Sequence, residues 1–208
     1  MFDFIADLDG YFCEKYANYD KICVLPDYKM PKMQTSEVRE DGRTYAYTLP
    51  ANTMRLALQE KKAELLQTLK SRLADKTFSF SFRTHGFFAR IKNRHSKYGT
   101  VKWLKSLFAK YNETADSAFA SLSIDREIWD GIVSGKFLPT KNLVFSLVLT
   151  MGMTEEDMEN FLAVCGYELD FAIEKDVVIS YLVHAKIFNP EMVKAALDEY
   201  KITNLFIK

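Results

Sequence analysis

Residues 112–153, NETADSAFASLSIDREIWDGIVSGKFLPTKNLVFSLVLTMGM, decide how the fold is read. Ile124, Ile128 and Ile132 recur at i, i+4 and i+8, the spacing of one helix face, and Ser123 stands where an N-cap is expected. Ser134-Gly135 stops that helix, because a residue at positive φ just past a helix end costs least as glycine. Pro139 then opens a first turn. Leu143, Val144, Leu147, Val148 and Met151 form a broad apolar face behind it, which Gly152 closes. Helices this short are unstable alone, so they must share a core. The pattern predicts a helix-turn-helix inside a mainly α C-terminal half.

Towards the C-terminus the helical signals continue. Thr154-Glu155-Glu156-Asp157 is a helix start with acids in its first turn, and Gly166 is a stop. Asp176 leads DVVISYLVHAK, which is apolar nearly all round and so reads as a central buried helix. Asn189-Pro190 caps a further helix, and Ile202, Leu205, Phe206 and Ile207 make an apolar tail expected to dock.

Before the central stretch the pattern is mixed. Residues 2–17 are spaced as an amphipathic helix, and residues 51–75 as a longer one with Met54, Leu58, Leu65, Leu69 and Leu73 in its stripe. Between them, Glu40-Asp41-Gly42-Arg43 is a turn signal before Thr44-Tyr45-Ala46-Tyr47-Thr48, and Ile22–Leu25 is a short strand candidate. Phe78, Phe80 and Phe82 alternate with serines as a half-buried strand does. The expected architecture is a small α+β region over 1–100 with a β-hairpin or short antiparallel sheet. A helical bundle containing the helix-turn-helix, over 101–208, follows it.

The chain has 208 residues, 48% hydrophobic and 14% aromatic, enough apolar material for a substantial core. Lys and Arg balance Asp and Glu at 28 each, but unevenly along the chain: residues 1–102 are about +6, 103–153 neutral and 154–208 about −6. From Lys76 to Asn112 there is no carboxylate, while Arg83, Arg90, Lys92, Arg94, Lys97, Lys102, Lys105 and Lys110 follow one another among aromatics. Such a run raises the local potential enough to bind phosphates, or to dock on the acidic third of the chain. Cys13, Cys23 and Cys165 are odd in number and unpaired in spacing, and no leader or membrane span is apparent. A cytoplasmic protein with reduced thiols is expected.

Ile124-Asp125-Arg126, Ile132, Ser134-Gly135-Lys136 and Pro139-Thr140-Lys141 resemble the phage-repressor-like (Cro-like) helix-turn-helix family. A closer likeness is to uncharacterised bacterial helix-turn-helix proteins whose domain continues into further helices. Cys165-Gly166-Tyr167 and Asp176-Val177-Val178-Ile179 stand for that extension here, so the resemblance covers roughly residues 103–208. It implies a nucleic-acid-binding regulatory protein of bacterial or phage origin, with duplex DNA as partner and a homodimer as the common state. It makes Arg126 the base-reading side chain and Ser134, Lys136, Thr140 and Lys141 the backbone contacts. Arg90, Lys92 and Arg94 in the basic run would add phosphate contacts. The chain departs from the family at Phe119, where a small residue is usual, and at Ser123, where glycine is favoured.

The helix expected to enter the groove carries Asp125, Glu127 and Asp130 against Arg126 alone. That balance suits a second reading, a protein-interaction module (adaptor or inhibitor) that keeps the repressor-like fold without binding DNA. Its acidic helix face would meet a basic partner, with either an exposed edge of Trp129 as anchor or Trp129 packed in the core. Asp7-Leu8-Asp9-Gly10 is similar to the nucleophile loop of haloacid-dehalogenase-type phosphatases, but no βαβ alternation follows it. No phosphate loop, dinucleotide fingerprint, zinc-protease motif or nucleophile elbow occurs, and His85 and His95 have no ligand at metal spacing. No enzyme activity, catalytic residue, metal or cofactor is therefore expected.

Overall fold

A computed structural model of the chain describes residues 3–16, 34–38, 44–48, 62–73, 99–203 and 205–208. These residues are mainly helical. The helices are α1 (Phe4–Lys15), α2 (Lys62–Arg72), α3 (Thr100–Lys110), α4 (Ala115–Ala120), α5 (Arg126–Val133), α6 (Lys141–Met151), α7 (Glu155–Val164), α8 (Glu174–His184) and α9 (Pro190–Glu199). Two strands, β1 (Gln34–Val38) and β2 (Thr44–Thr48), pair antiparallel with Val38 opposite Thr44. The strand candidates at Ile22–Leu25 and Phe78–Phe82 lie outside the described residues, as does the 51–61 part of the long helix.

The helices begin where polar caps stand. Asp3 accepts from the backbone N–H of Ile5 and Ala6, Thr140 from Leu143, Thr154 from Asp157, and Asn189 from Glu191 and Met192. Pro139 lies two residues before its helix, which starts at Lys141, so the hydroxyl of Thr140 and not the proline ring sets the start. Helix α8 begins at Glu174, two residues before Asp176, which is therefore a buried member of the first turn and not its leader.

The ends are equally local. Gly135 at φ +76° and Gly152 at +63° follow α5 and α6 in the left-handed region that glycine enters freely.

Ser123 does not cap α5. Its N–H donates to the Phe206 carbonyl at 2.9 Å, and Leu122 forms an antiparallel bridge with Ile207. Asp125 is still extended, at φ −66° and ψ 138°, so α5 starts at Arg126 with no side-chain cap. The tail's inner residues, Ile202 and Phe206, are buried, and the Phe206 N–H donates to Ser146 Oγ at 2.9 Å inside the core.

Helix α8 is central. Lys175 to Val183 are all buried, and α8 packs on α1, α6, α7 and α9. Helix α1 lies along it through Leu8 and Phe12, both fully buried, with tyrosine hydroxyls at the edges: Tyr16 donates to Glu174, Tyr181 to Asp7 and Tyr200 to Asp9. Leu65, Leu66 and Leu69 bring α2 onto α1, and Lys70 closes that corner between Asp9 at 2.7 Å and Glu199 at 2.6 Å. Although α1 and α2 precede residue 100, they share one hydrophobic core with α3 to α9. Among the described residues no helix is long and apolar enough to cross a membrane.

Candidate nucleic-acid interface

Helices α4, α5 and α6 are joined by short connectors, and α4 packs on both of the others. Trp129 and Ile132 anchor α5. The Trp129 ring is fully buried between Phe108 and Phe119, and its Nε1–H donates to the Ala115 carbonyl at 2.9 Å. It therefore offers no exposed edge to a partner: of the two placements the sequence left open for Trp129, the indole takes the core one. At the far end, the carbonyl of Gly131 accepts from the N–H groups of both Lys136 and Phe137, and the Phe137 ring lies over Gly131 so closely that a Cβ there would be 2.3 Å from Cδ2.

The outward face of α5 is Asp125, Arg126, Glu127 and Asp130, all exposed. Arg126 is held by two carboxylates, its Nη1 2.7 Å from Asp116 of α4 and its Nε 2.9 Å from Asp130 one turn on. The hydrogen bond that Arg126 donates to Asp116, with the charge of Asp130, raises its pKa above the ordinary guanidinium value.

The other residues assigned to backbone contact have varied places. Thr140 is buried as the cap of α6. Lys141 donates to Asp176, whose side chain is only 2% exposed and also accepts from the Asp170 N–H at 2.7 Å. Burial pushes the Asp176 carboxyl above the ordinary range, opposed by those two donors. Ser134 is half-buried at the end of α5, and its Oγ donates to the Gly131 carbonyl at 3.1 Å. Lys136 is exposed, with Nζ 4.9 Å over the Phe137 ring. Arg90, Lys92 and Arg94 lie outside the described residues.

The described end of the basic run forms α3. Val101, Leu104, Leu107 and Phe108 face the core, and α3 packs on α5 and α7. Lys102 and Lys105 stand on the exposed side three residues apart, with no carboxylate on their own helix and no ion pair among the described residues. Lys110 at the helix end donates to Asp157 at 2.7 Å. Burial pushes the Asp157 carboxyl up, but hydrogen bonds from Lys110, Tyr111 and Thr154 outweigh it and hold it below the ordinary value.

Sequence spacing could have suggested the Arg126–Asp130 bond, since i and i+4 are neighbours on a helix. Nothing local signals Asp116. The aspartates of the phosphatase-like Asp7-Leu8-Asp9-Gly10 lie within α1 and accept tyrosine hydroxyls, so this segment forms no nucleophile loop. By its structure the chain is a mainly helical protein with one extended core. No protein-family model, curated protein or solved structure matches it.

Proposed function

We propose that α4 to α6 are a repressor-like helix-turn-helix and that the chain is a nucleic-acid-binding regulatory protein whose phosphate contacts come mainly from the basic run that includes α3. The observation that carries this is the outer side of α3. Lys102 and Lys105 are exposed and unpaired among the described residues, within a stretch of sequence that has no carboxylate from Lys76 to Asn112. Two of the motif's own cations, by contrast, are already bonded to carboxylates. Each lysine that neutralises a phosphate of duplex DNA adds about 0.9 to the salt slope. Replacing Lys102 and Lys105 by Ala should therefore flatten log K against log[salt] by about 1.8, measured by anisotropy on a random-sequence duplex. Absence of binding to duplex at low salt overturns the reading.

The second reading, a protein-interaction module, is favoured by the face of α5, where Asp125, Glu127 and Asp130 are exposed and Arg126 is already paired. A stoichiometric protein partner that survives nuclease treatment and is lost on Asp125→Lys with Glu127→Lys would support it over the first.

A further inference from the structure

Helix α5 presents one cation on its outer face, and two elements hold it. Arg126 Nη1 is 2.7 Å from Asp116 Oδ1 in the first turn of α4, and Arg126 Nε donates to Asp130 Oδ1 at 2.9 Å within α5. The guanidinium lies 5.1 Å from the centre of the Phe119 ring. Two of the five N–H donors of the guanidinium, one on Nη1 and one on Nε, are thereby taken by carboxylate oxygens, so a phosphodiester seeking a bidentate fork competes with them. Neither carboxylate, of Asp116 or of Asp130, accepts another hydrogen bond among the described residues, and all three side chains are more than half exposed. The pairs therefore exchange with water and with competing anions, unlike a buried pair.

We infer that Asp116 and Asp130 form an exchangeable latch on Arg126, standing in for phosphate, so that α5 touches nucleic acid only when the latch opens. This rests on the nucleic-acid reading above and adds its regulation: contact by the motif helix is held off while the α3 side binds. Lys208, whose Nζ donates to the Ala120 carbonyl and lies 5.7 Å from the same Phe119 ring, would stand beside the released guanidinium as a second cation.

The test is a mutant cycle read by anisotropy on a labelled random-sequence duplex at low salt. Its members are the wild type, Asp116→Asn with Asp130→Asn, Arg126→Ala, and the triple variant. Matched unfolding midpoints show that each folds. The latch predicts that the double variant binds about five-fold tighter, the upper end of what exposed ion pairs withhold, with a salt slope steeper by about 0.9. Arg126→Ala should change little in the native background and abolish the whole gain in the triple variant.

Glu127→Gln removes an exposed carboxylate that makes no ion pair with Arg126 among the described residues and should give a smaller gain. If the gain survives in the triple variant, or if Glu127→Gln matches it, the effect is lost repulsion and the latch is overturned. No gain in a wild type that binds sinks the latch alone, whereas no binding by the wild type or any variant sinks the proposed function with it.

Discussion

Arg126 and Lys141 are each the first residue of a helix, and each is met by aspartate, yet one pair is on the surface and the other inside. A cation at a helix N-terminus opposes the macrodipole, so an acid nearby offsets an unfavourable charge in both cases. The environments then diverge. The side chain of Lys141 is 21% exposed and that of Asp176 2%, whereas Arg126, Asp116 and Asp130 are exposed to 55%, 76% and 58%. Inside, removing one partner leaves a charge with little solvent. Outside, water replaces the lost partner. Similar chemistry thus makes a fixed joint between α6 and α8 and an exchangeable contact between α4 and α5.

The sharpest way to break that comparison is to remove one acid from each pair. Asp176→Ala should lower stability by about 3 kcal/mol or more, read by denaturant titration, because it strands Lys141 and the Asp170 N–H. Equal losses in Asp176→Ala and Asp116→Ala would show that burial does not separate the two pairs. Next in size is Gly131→Ala at the end of α5. Its methyl group would meet the Phe137 ring, and overpacking of this kind costs about 1–3 kcal/mol. Phe137→Leu in the same chain should recover part of the loss; no recovery would mean that the ring is not the obstacle.

Arg126→Ala should shift stability by under about 1 kcal/mol. A larger loss would make this contact a structural one. The smallest effect concerns pH, where two buried aspartates act with opposite signs. The Asp157 pKa is lowered in the folded state, so its contribution is present above the ordinary carboxylate value and is lost as pH falls through the lower folded one. The Asp176 pKa is raised, so its contribution is full below the ordinary value and declines as pH rises through the folded one. Asp157→Asn should therefore make acid unfolding less steep below about pH 4. A variant whose stability still falls with acid as the wild type does would remove Asp157 from the account.

Much of the helical part was legible because helix limits are set within a few residues. Thr154, Asn189, Gly135 and Gly152 act on their own turns, and each sits at the boundary that its side chain, or lack of one, predicts. Ser123 misled for a physical reason: the same connector could either cap α5 or bridge to the tail, and only the fold brings Phe206 and Ile207 alongside. Trp129 was open between core and surface because both faces of α5 carry large side chains, and burial followed from the pocket formed by Phe108, Phe119 and Ala115 of other helices.

The sequence alone determined that the C-terminal half is mainly helical, with several of its helix limits, that the chain could build a large core, and that its positive charge is concentrated before residue 111. Those properties depend on neighbours in the chain and on composition. Which cations remain available to a ligand was decided only by the tertiary structure. Asp116, Asp157 and Asp176 reach Arg126, Lys110 and Lys141 from 10, 47 and 35 positions away. At such separations a charge pair is governed by how the helices pack and how much water they exclude, and no local pattern encodes either.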